Sequence, residues 1–333
     1  MKSFQIELSM TNDCNLKCPY CYVKQNHKSL TLETFKKALP KIHHYMKLAN
    51  CSNYDIAFFG GEPLLKFDLI KKIIPILRQD KYFNHCTIVS NLALLTPQIR
   101  DYFKENKISV SWSFDGITSN VSRATKNGKN VIEIYESKRD LILSLVNGCH
   151  SIVYPENCLD MLRNAEYMHN FGLKRIDFAV VRDNVWKPRD IENFKSVLPK
   201  LHQFLSDNNI YGGFFELMRC DIRDSKEYGK RDFGCFAGVN GCSVSTDGEI
   251  FACERFETNG KFNYEKMDNP FKFKSTYNPK NYEKCKKCEL YNFCNCGCLY
   301  SQLQNGNQPL DCVCELFKAI YEIVKNDTSP IRF

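Results

Sequence analysis

The chain has 333 residues, 43% hydrophobic and 25% charged, with no run of 18 apolar residues. That excludes a disordered chain and a membrane-spanning helix, and at about 150 residues per domain it predicts two domains. The formal charge of +8 counts thiols as neutral, so with 18 cysteines it is no signature of nucleic-acid binding.

The start, MKSFQIELSM, alternates as a strand does and has no apolar signal region, which predicts a cytoplasmic protein with no membrane partner. In a reducing compartment so many cysteines point to metal rather than to disulfides.

In chain order, short β-rich runs are expected at Phe4–Met10, Tyr54–Phe59, Thr87–Ser90, Ser109–Phe114, Cys149–Tyr154 and Arg175–Val181. Helical stretches are expected at Leu32–Lys47, Asp68–Arg78, Pro97–Asn106, Ile132–Leu145, Cys158–Phe171 and Ile191–Ser206. Six βα units of about 34 residues each predict a parallel sheet with helices outside. Six fall short of the eight that close a barrel, so the fold class is α/β, an open partial (β/α)6 barrel.

After about Asn208 the periodicity fades, and 11 of the 18 cysteines lie between Cys220 and Cys314. A segment so poor in apolar side chains needs cross-links or metal to hold its shape. The expected organisation is a barrel over 1–208, a bridge over 209–234 and a cysteine-rich region over 235–333. A last helix, Glu315–Lys325, is expected to pack back on the body.

Cys14, Cys18 and Cys21 form a C-x3-C-x2-C run directly after the first strand. Three thiolates on one loop can hold three corners of a four-iron cluster and leave the fourth iron open, whereas a zinc site wants four ligands. Phe58-Phe59-Gly60-Gly61-Glu62-Pro63 ends the second strand, and its glycines allow close backbone approach. Asn91 follows at the end of the third strand, Ser113 and Asp115 at the end of the fourth, and Arg123 in the polar loop after it. Barrel folds keep their active sites at that end.

The three-cysteine run with Tyr20 inside it resembles the signature of the radical S-adenosylmethionine (SAM) enzymes. Gly60, Gly61 and Glu62 resemble that family's GGE motif, which holds the amino group of SAM. By the same resemblance Asn91, Ser113, Asp115 and Arg123 contact SAM, with Ser113 and Arg123 on its carboxylate. The array Cys235-x12-Gly248-x4-Cys253 with Cys285-x2-Cys288-x5-Cys294-x3-Cys298 and Cys314 resembles the SPASM domain of many such enzymes.

That resemblance implies three [4Fe–4S] clusters. One binds SAM, one auxiliary cluster takes Cys235, Cys242, Cys253 and Cys298, and a second takes Cys285, Cys288, Cys294 and Cys314. Cys312 competes with Cys314, and Cys220 and Cys296 have no assigned role. With three clusters bound the net charge falls to about +3. Glu254, next to Cys253, is the candidate catalytic base, matching an acidic residue of sulfatase-maturing relatives.

The implied function is hydrogen abstraction from a peptide or protein by a 5′-deoxyadenosyl radical, giving a crosslink, thioether or oxidation in ribosomal peptide maturation. The alternatives are formylglycine formation in a sulfatase, oxidation of a small molecule, and a colourless zinc-ribbon adaptor. The first strand begins by Phe4, so leader recognition is expected from a separate peptide-binding protein or from the barrel itself. The implied electron source is a flavodoxin or ferredoxin.

Overall fold

A computed structural model of the chain describes residues 3–228, 235–271, 282–294 and 297–327. Four parallel strands, β1 (Phe4–Thr11), β2 (Tyr54–Gly60), β3 (Phe83–Ser90) and β4 (Ser109–Trp112), form one side of the barrel. Two more, β5 (Gly148–Val153) and β6 (Arg175–Val180), pair in parallel as a separate two-stranded sheet. The match to the radical SAM expectation is a mixed α/β body with a parallel sheet and helices between the strands.

The strands form because their residues suit a half-buried pleat. In β1, Phe4, Ile6, Leu8 and Met10 are all fully buried toward the helices, while Gln5, Glu7 and Ser9 take the opposite face. The first helix, Leu32–Leu48, starts at Thr31, whose hydroxyl accepts from the Thr34 amide at 3.0 Å. Its apolar face, Phe35, Ala38, Ile42, Tyr45 and Met46, covers the sheet.

Two features depart from the expectation of six continuous strands. First, β4 and β5 form no continuous ladder: among the described residues an isolated bridge, Ser113–His150, joins them, and there the Phe114 amide donates to the His150 carbonyl at 2.9 Å. Beyond it the Asp115 carboxylate takes the Ile152 amide at 2.8 Å in place of a strand partner. A side chain has replaced the ladder, so the sheet opens there. Second, β7 (Gly241–Val244) lies parallel beside β1, and β8 (Ile250–Phe251) turns back on it, giving the order β4-β3-β2-β1-β7-β8. The cysteine-rich part of the chain thus contributes strands to the barrel's sheet.

The expected helix Ile132–Leu145 is two pieces, Val131–Glu136 and Arg139–Leu143, parted where the Lys138 amine reaches the Ala93 carbonyl at 2.7 Å. A helix over Gly213–Tyr228 lies in the stretch where sequence periodicity fades. The last helix begins earlier than expected, at Asp311, and ends at Val324. It packs on the helix Pro188–Asp207. Among the described residues no helix is long and apolar enough to cross a membrane.

Candidate active site

The three-cysteine loop leaves β1 at its carboxyl end, beside the end of β2. The Gly61 amide donates to the Thr11 carbonyl at 2.7 Å and the Glu62 amide to the Asp13 carbonyl at 2.8 Å, fastening the loop's root. A Cβ on Gly61 would stand 2.0 Å from the Asp13 oxygen, and one on Gly60 would stand 2.4 Å from the Thr11 oxygen. Gly60 also has φ of +119°, open to glycine alone at low cost. The close approach these glycines permit is therefore first that of the cysteine loop itself.

Glu62 is buried, and both its carboxylate oxygens are engaged. They accept from the Ser90 hydroxyl at 2.6 Å, the Asn91 amide at 2.9 Å and the Leu64 amide at 3.1 Å. Burial pushes its pKa up to about 7, against these three donors, which favour the charged form. The residue braces the end of β2 against the end of β3. The side chain of Asn91 turns back to the loop, donating to Asn15 Oδ1 at 2.9 Å with Cys14 Sγ at 3.9 Å.

Asp115 is the centre of a second network. Its carboxylate is fully buried and accepts from the Tyr20 hydroxyl at 2.6 Å, Ser122 Oγ at 2.7 Å and Arg123 Nη2 at 3.0 Å, besides the Ile152 amide. The Arg123 guanidinium lies over the Tyr20 ring, 5.6 Å from its centroid, and the Tyr154 ring packs on Tyr20 with centroids 5.1 Å apart. Arg123 Nε is buried and has no partner among the described residues. An orphaned donor so buried calls for an acceptor, and a carboxylate of a bound ligand supplies one.

Burial pushes the Cys14 thiol up to about 12 and the Cys18 thiol up to about 11, while Arg123 pulls the latter down. The thiols thus stay protonated until a metal centre displaces the protons, as thiolate metal ligands do. Cys21 is exposed and Ser113 is half-buried, its amide donating to the Ser90 carbonyl at 2.9 Å. The donors present, three thiols on one loop and a buried cation beside them, fit a metal cluster with an anionic organic ligand.

The expected auxiliary ligands fall into two groups. Cys242, on β7, is fully buried, and the electrostatic surroundings of the Tyr264 hydroxyl include Cys242, Cys253 and Cys235. Cys298 acts on Cys253 in turn. Cys285, Cys288, Cys294 and Cys314 line one cavity of about 470 Å³ with Lys284 and Lys318. Cys312 lies elsewhere, its Sγ 3.9 Å from the Asp183 carbonyl. Cys296 lies outside the described residues. Among the described residues no three Cys, His, Asp or Glu side chains converge on one point as a single ion requires; a four-iron cube takes its ligands at separated corners.

Glu254 opens a short helix, Glu254–Glu257, that Cys253 precedes. It accepts from the Tyr22 hydroxyl at 2.8 Å and faces Glu7 on β1, whose carboxyl is held well above its usual range by burial and by Glu254. Glu257 accepts from the hydroxyls of Ser9 at 2.9 Å and of Ser243. Glu254, Glu257, Ser9, Asn12 and Gly60 line a cavity of about 130 Å³, which sets Glu254 and the paired-glycine turn on one space. A larger cavity of about 770 Å³ opens between β4 and β5 at the opposite strand ends, away from the cysteine loop.

Sequence reasoning passed over Glu7, Tyr22, Glu257, Tyr154, Asp183 and Arg255. The one readable signal was in β1, where Glu7 and Ser9 alternate with fully buried apolar residues. Two histidines have carboxylate neighbours: His43 Nε2 meets Asp80 at 2.6 Å, and His150 stands 3.7 Å from Asp177. Cys51, Cys86, Cys149, Cys158 and Cys220 are buried.

Residues 8–155 match the family model of the radical SAM superfamily. The chain is 34% identical over 209 residues to the uncharacterized protein MJ0907 of Methanocaldococcus jannaschii, covering 59% of this chain and 71% of that one. It is 24% identical over 366 residues to the radical SAM cyclopropyl synthase TigE of Paramaledivibacter caminithermalis, covering 98% and 75%. A solved structure of native anSMEcpe with bound AdoMet and the Kp18Cys peptide has the same fold, with a TM-score of 0.75 at 20% identity over 97% of each chain. The radical SAM match over residues 8–155, together with the relation to a radical SAM synthase along 98% of the chain, places this enzyme in the radical SAM superfamily, whose members work with SAM and a [4Fe–4S] cluster.

Proposed function

We propose that the enzyme uses this machinery on a peptide or protein, abstracting a hydrogen atom to begin a crosslink, thioether or oxidation. The observation that carries the reading is the joint between the three-cysteine loop, the paired-glycine turn and the Asp115–Arg123–Tyr20 network, with the buried Arg123 Nε unpaired among the described residues. When bound, the reduced cluster and SAM supply a 5′-deoxyadenosyl radical. The fold shared with anSMEcpe, which has been solved holding both AdoMet and a peptide, supports a peptide at the barrel mouth.

In this reading Cys14, Cys18 and Cys21 hold the cluster. Arg123, with Ser113, receives the SAM carboxylate, while Asp115 fixes the guanidinium in place and Tyr20 closes it from the loop side. Gly60 and Gly61 keep the backbone at the turn free of side chains, and Glu62 holds that turn rigid from beneath. Asn91 ties the loop to β3.

Cys235, Cys242, Cys253 and Cys298 hold one auxiliary cluster, and Cys285, Cys288, Cys294 and Cys314 the other, in a SPASM arrangement. The shared cavity of the second set, with Cys312 turned toward Asp183, supports Cys314 as its last member. Glu254 is the candidate base. It shares a cavity with Gly60, and Glu7 opposite it gives a second carboxyl through which a proton can pass. Clusters held by thiolates need a reducing compartment, which supports a cytoplasmic enzyme fed by a flavodoxin or ferredoxin. A separate leader-binding protein completes the proposed partners.

The test is anaerobic turnover of the reconstituted enzyme with dithionite, SAM and a panel of cysteine- and aromatic-bearing peptides, read by mass spectrometry. Formation of 5′-deoxyadenosine together with a mass change in one peptide supports the reading. Deoxyadenosine with no peptide altered, but a sulfatase peptide converted to formylglycine, replaces it with the sulfatase alternative.

A further inference from the structure

Arg255 lies on the short helix that follows Cys253 and reaches Cys298. Its Nη1 stands 3.5 Å from Cys298 Sγ and donates to Ser301 Oγ at 3.2 Å. Its Nη2 donates to both carboxylate oxygens of Asp183, at 2.7 and 2.8 Å. The guanidinium lies over two aromatic rings, 4.3 Å from the Tyr300 centroid and 5.4 Å from that of Tyr22. Its Nε is buried and has no partner among the described residues. The side chain is 14% exposed and that of Asp183 is 37%, so the cation is the inner member of the pair and its counter-ion the outer.

This is an unusual place for a buried cation. A structural ion pair would be complete with Asp183, yet one arm of the fork points at a cysteine sulfur and Nε at no acceptor among the described residues. A donor directed at a thiol, with a buried donor beside it left unpartnered among the described residues, suits an acceptor that is richer in electrons than the thiol itself. A thiolate bound to iron, with the sulfides beside it, is such an acceptor.

We propose that Arg255 sets the reduction potential of the auxiliary cluster held by Cys235, Cys242, Cys253 and Cys298, an inference that rests on the ligand set proposed above. One-electron reduction adds one negative charge to the cluster, with no bond made or broken. A guanidinium donating to a ligating sulfur stabilises that added charge more than it stabilises the oxidised state. The potential is therefore raised, and the cluster becomes a better electron acceptor. Asp183 moderates the effect by neutralising part of the guanidinium from the solvent side. The stacked rings of Tyr300 and Tyr22 hold the fork at one angle, which an ammonium on a flexible stem would not keep.

The test uses the full chain with Cys14, Cys18 and Cys21 changed to alanine, reconstituted anaerobically with iron and sulfide. Only the two auxiliary clusters then contribute signals. Dithionite titration with redox mediators, followed by electron paramagnetic resonance, reads each cluster's potential. Arg255→Met should lower the reduced-to-oxidised ratio of one cluster about tenfold at a fixed potential, about 59 mV for one electron. The other cluster should not move. Arg255→Lys, which keeps the charge without the fork, should give a smaller shift in the same direction.

Unmoved signals in an Arg255→Met protein with its full iron content would overturn the inference. If that variant sheds iron, Arg255→Lys and Arg255→Gln carry the test, and parental potentials in both overturn it. Iron loss from all three variants overturns it too, since Arg255 would then be a requirement of assembly. Failure of the ligand set is separately visible, because Cys298→Ala would then keep all its iron.

Discussion

The Tyr20 hydroxyl donates to Asp115 Oδ2 at 2.6 Å, joining the middle of the cysteine loop to the end of the fourth strand across 95 residues of sequence. The same carboxylate pairs with Arg123 and takes the amide that opens the seam between β4 and β5. One buried charge thus orients the loop, the cation and the strand end together. Asp115→Ala should destabilise the protein by about 3–5 kcal/mol, because it leaves the buried Arg123 without its counter-ion. Urea unfolding of the anaerobic protein measures this, and a loss below about 1 kcal/mol would show that the network does not act as a unit.

Gly61→Ala tests whether the turn at the end of β2 carries the loop. The added methyl would meet the Asp13 carbonyl at 2.0 Å, and backbone rather than a flexible side chain must give way. Overpacking of that kind costs about 1–3 kcal/mol. The expected outcome is a folded protein that loses about four of about twelve iron atoms and makes no 5′-deoxyadenosine. Iron analysis and chromatography of the anaerobic reaction check both.

Cys14→Ala should abolish SAM cleavage and leave about eight iron atoms per chain, the complement of two auxiliary clusters. Unchanged deoxyadenosine formation would remove Cys14 from the cluster.

Cys314 and Cys312 sit on the same helix two residues apart and point different ways, the first into the cysteine-lined cavity and the second at Asp183. Cys314→Ser should lose about four iron atoms, and solubility with them, since cluster binding supports the fold of a segment poor in apolar residues. Cys312→Ser should retain its iron. The reverse pattern in elemental analysis would exchange their roles.

Glu257 carries the pH dependence. Burial raises its pKa from 4.5 to about 7, so the folded protein holds the proton more tightly than the unfolded chain. Its contribution to stability is therefore full below about pH 4.5 and falls away as the pH rises toward about 7. Glu257→Gln removes that slope, and the Ser9 and Ser243 hydroxyls can turn to accept from the amide. At pH 8 the variant should be more stable than its parent by about 1–3 kcal/mol, and at pH 5.5 the gap should shrink. Equal unfolding midpoints at both pH values would show that Glu257 is ionised without penalty.

The sequence by itself determined the βα alternation, the three-cysteine loop and the family. Each of these is written in local spacing: apolar period in the strands, three cysteines within eight residues, two glycines at one turn. What the tertiary structure decided lies between segments far apart in the chain. β7 is only four residues long and had no pattern to show that it would lie beside β1. Asp115 replaces part of the ladder between β4 and β5, which a strand's own periodicity cannot announce. Arg255 was an ordinary charged residue until Cys298 and Asp183 came to its two sides. Local preferences are carried by neighbours in sequence, whereas the environment of a buried charge is made by whichever distant side chains the packing brings to it.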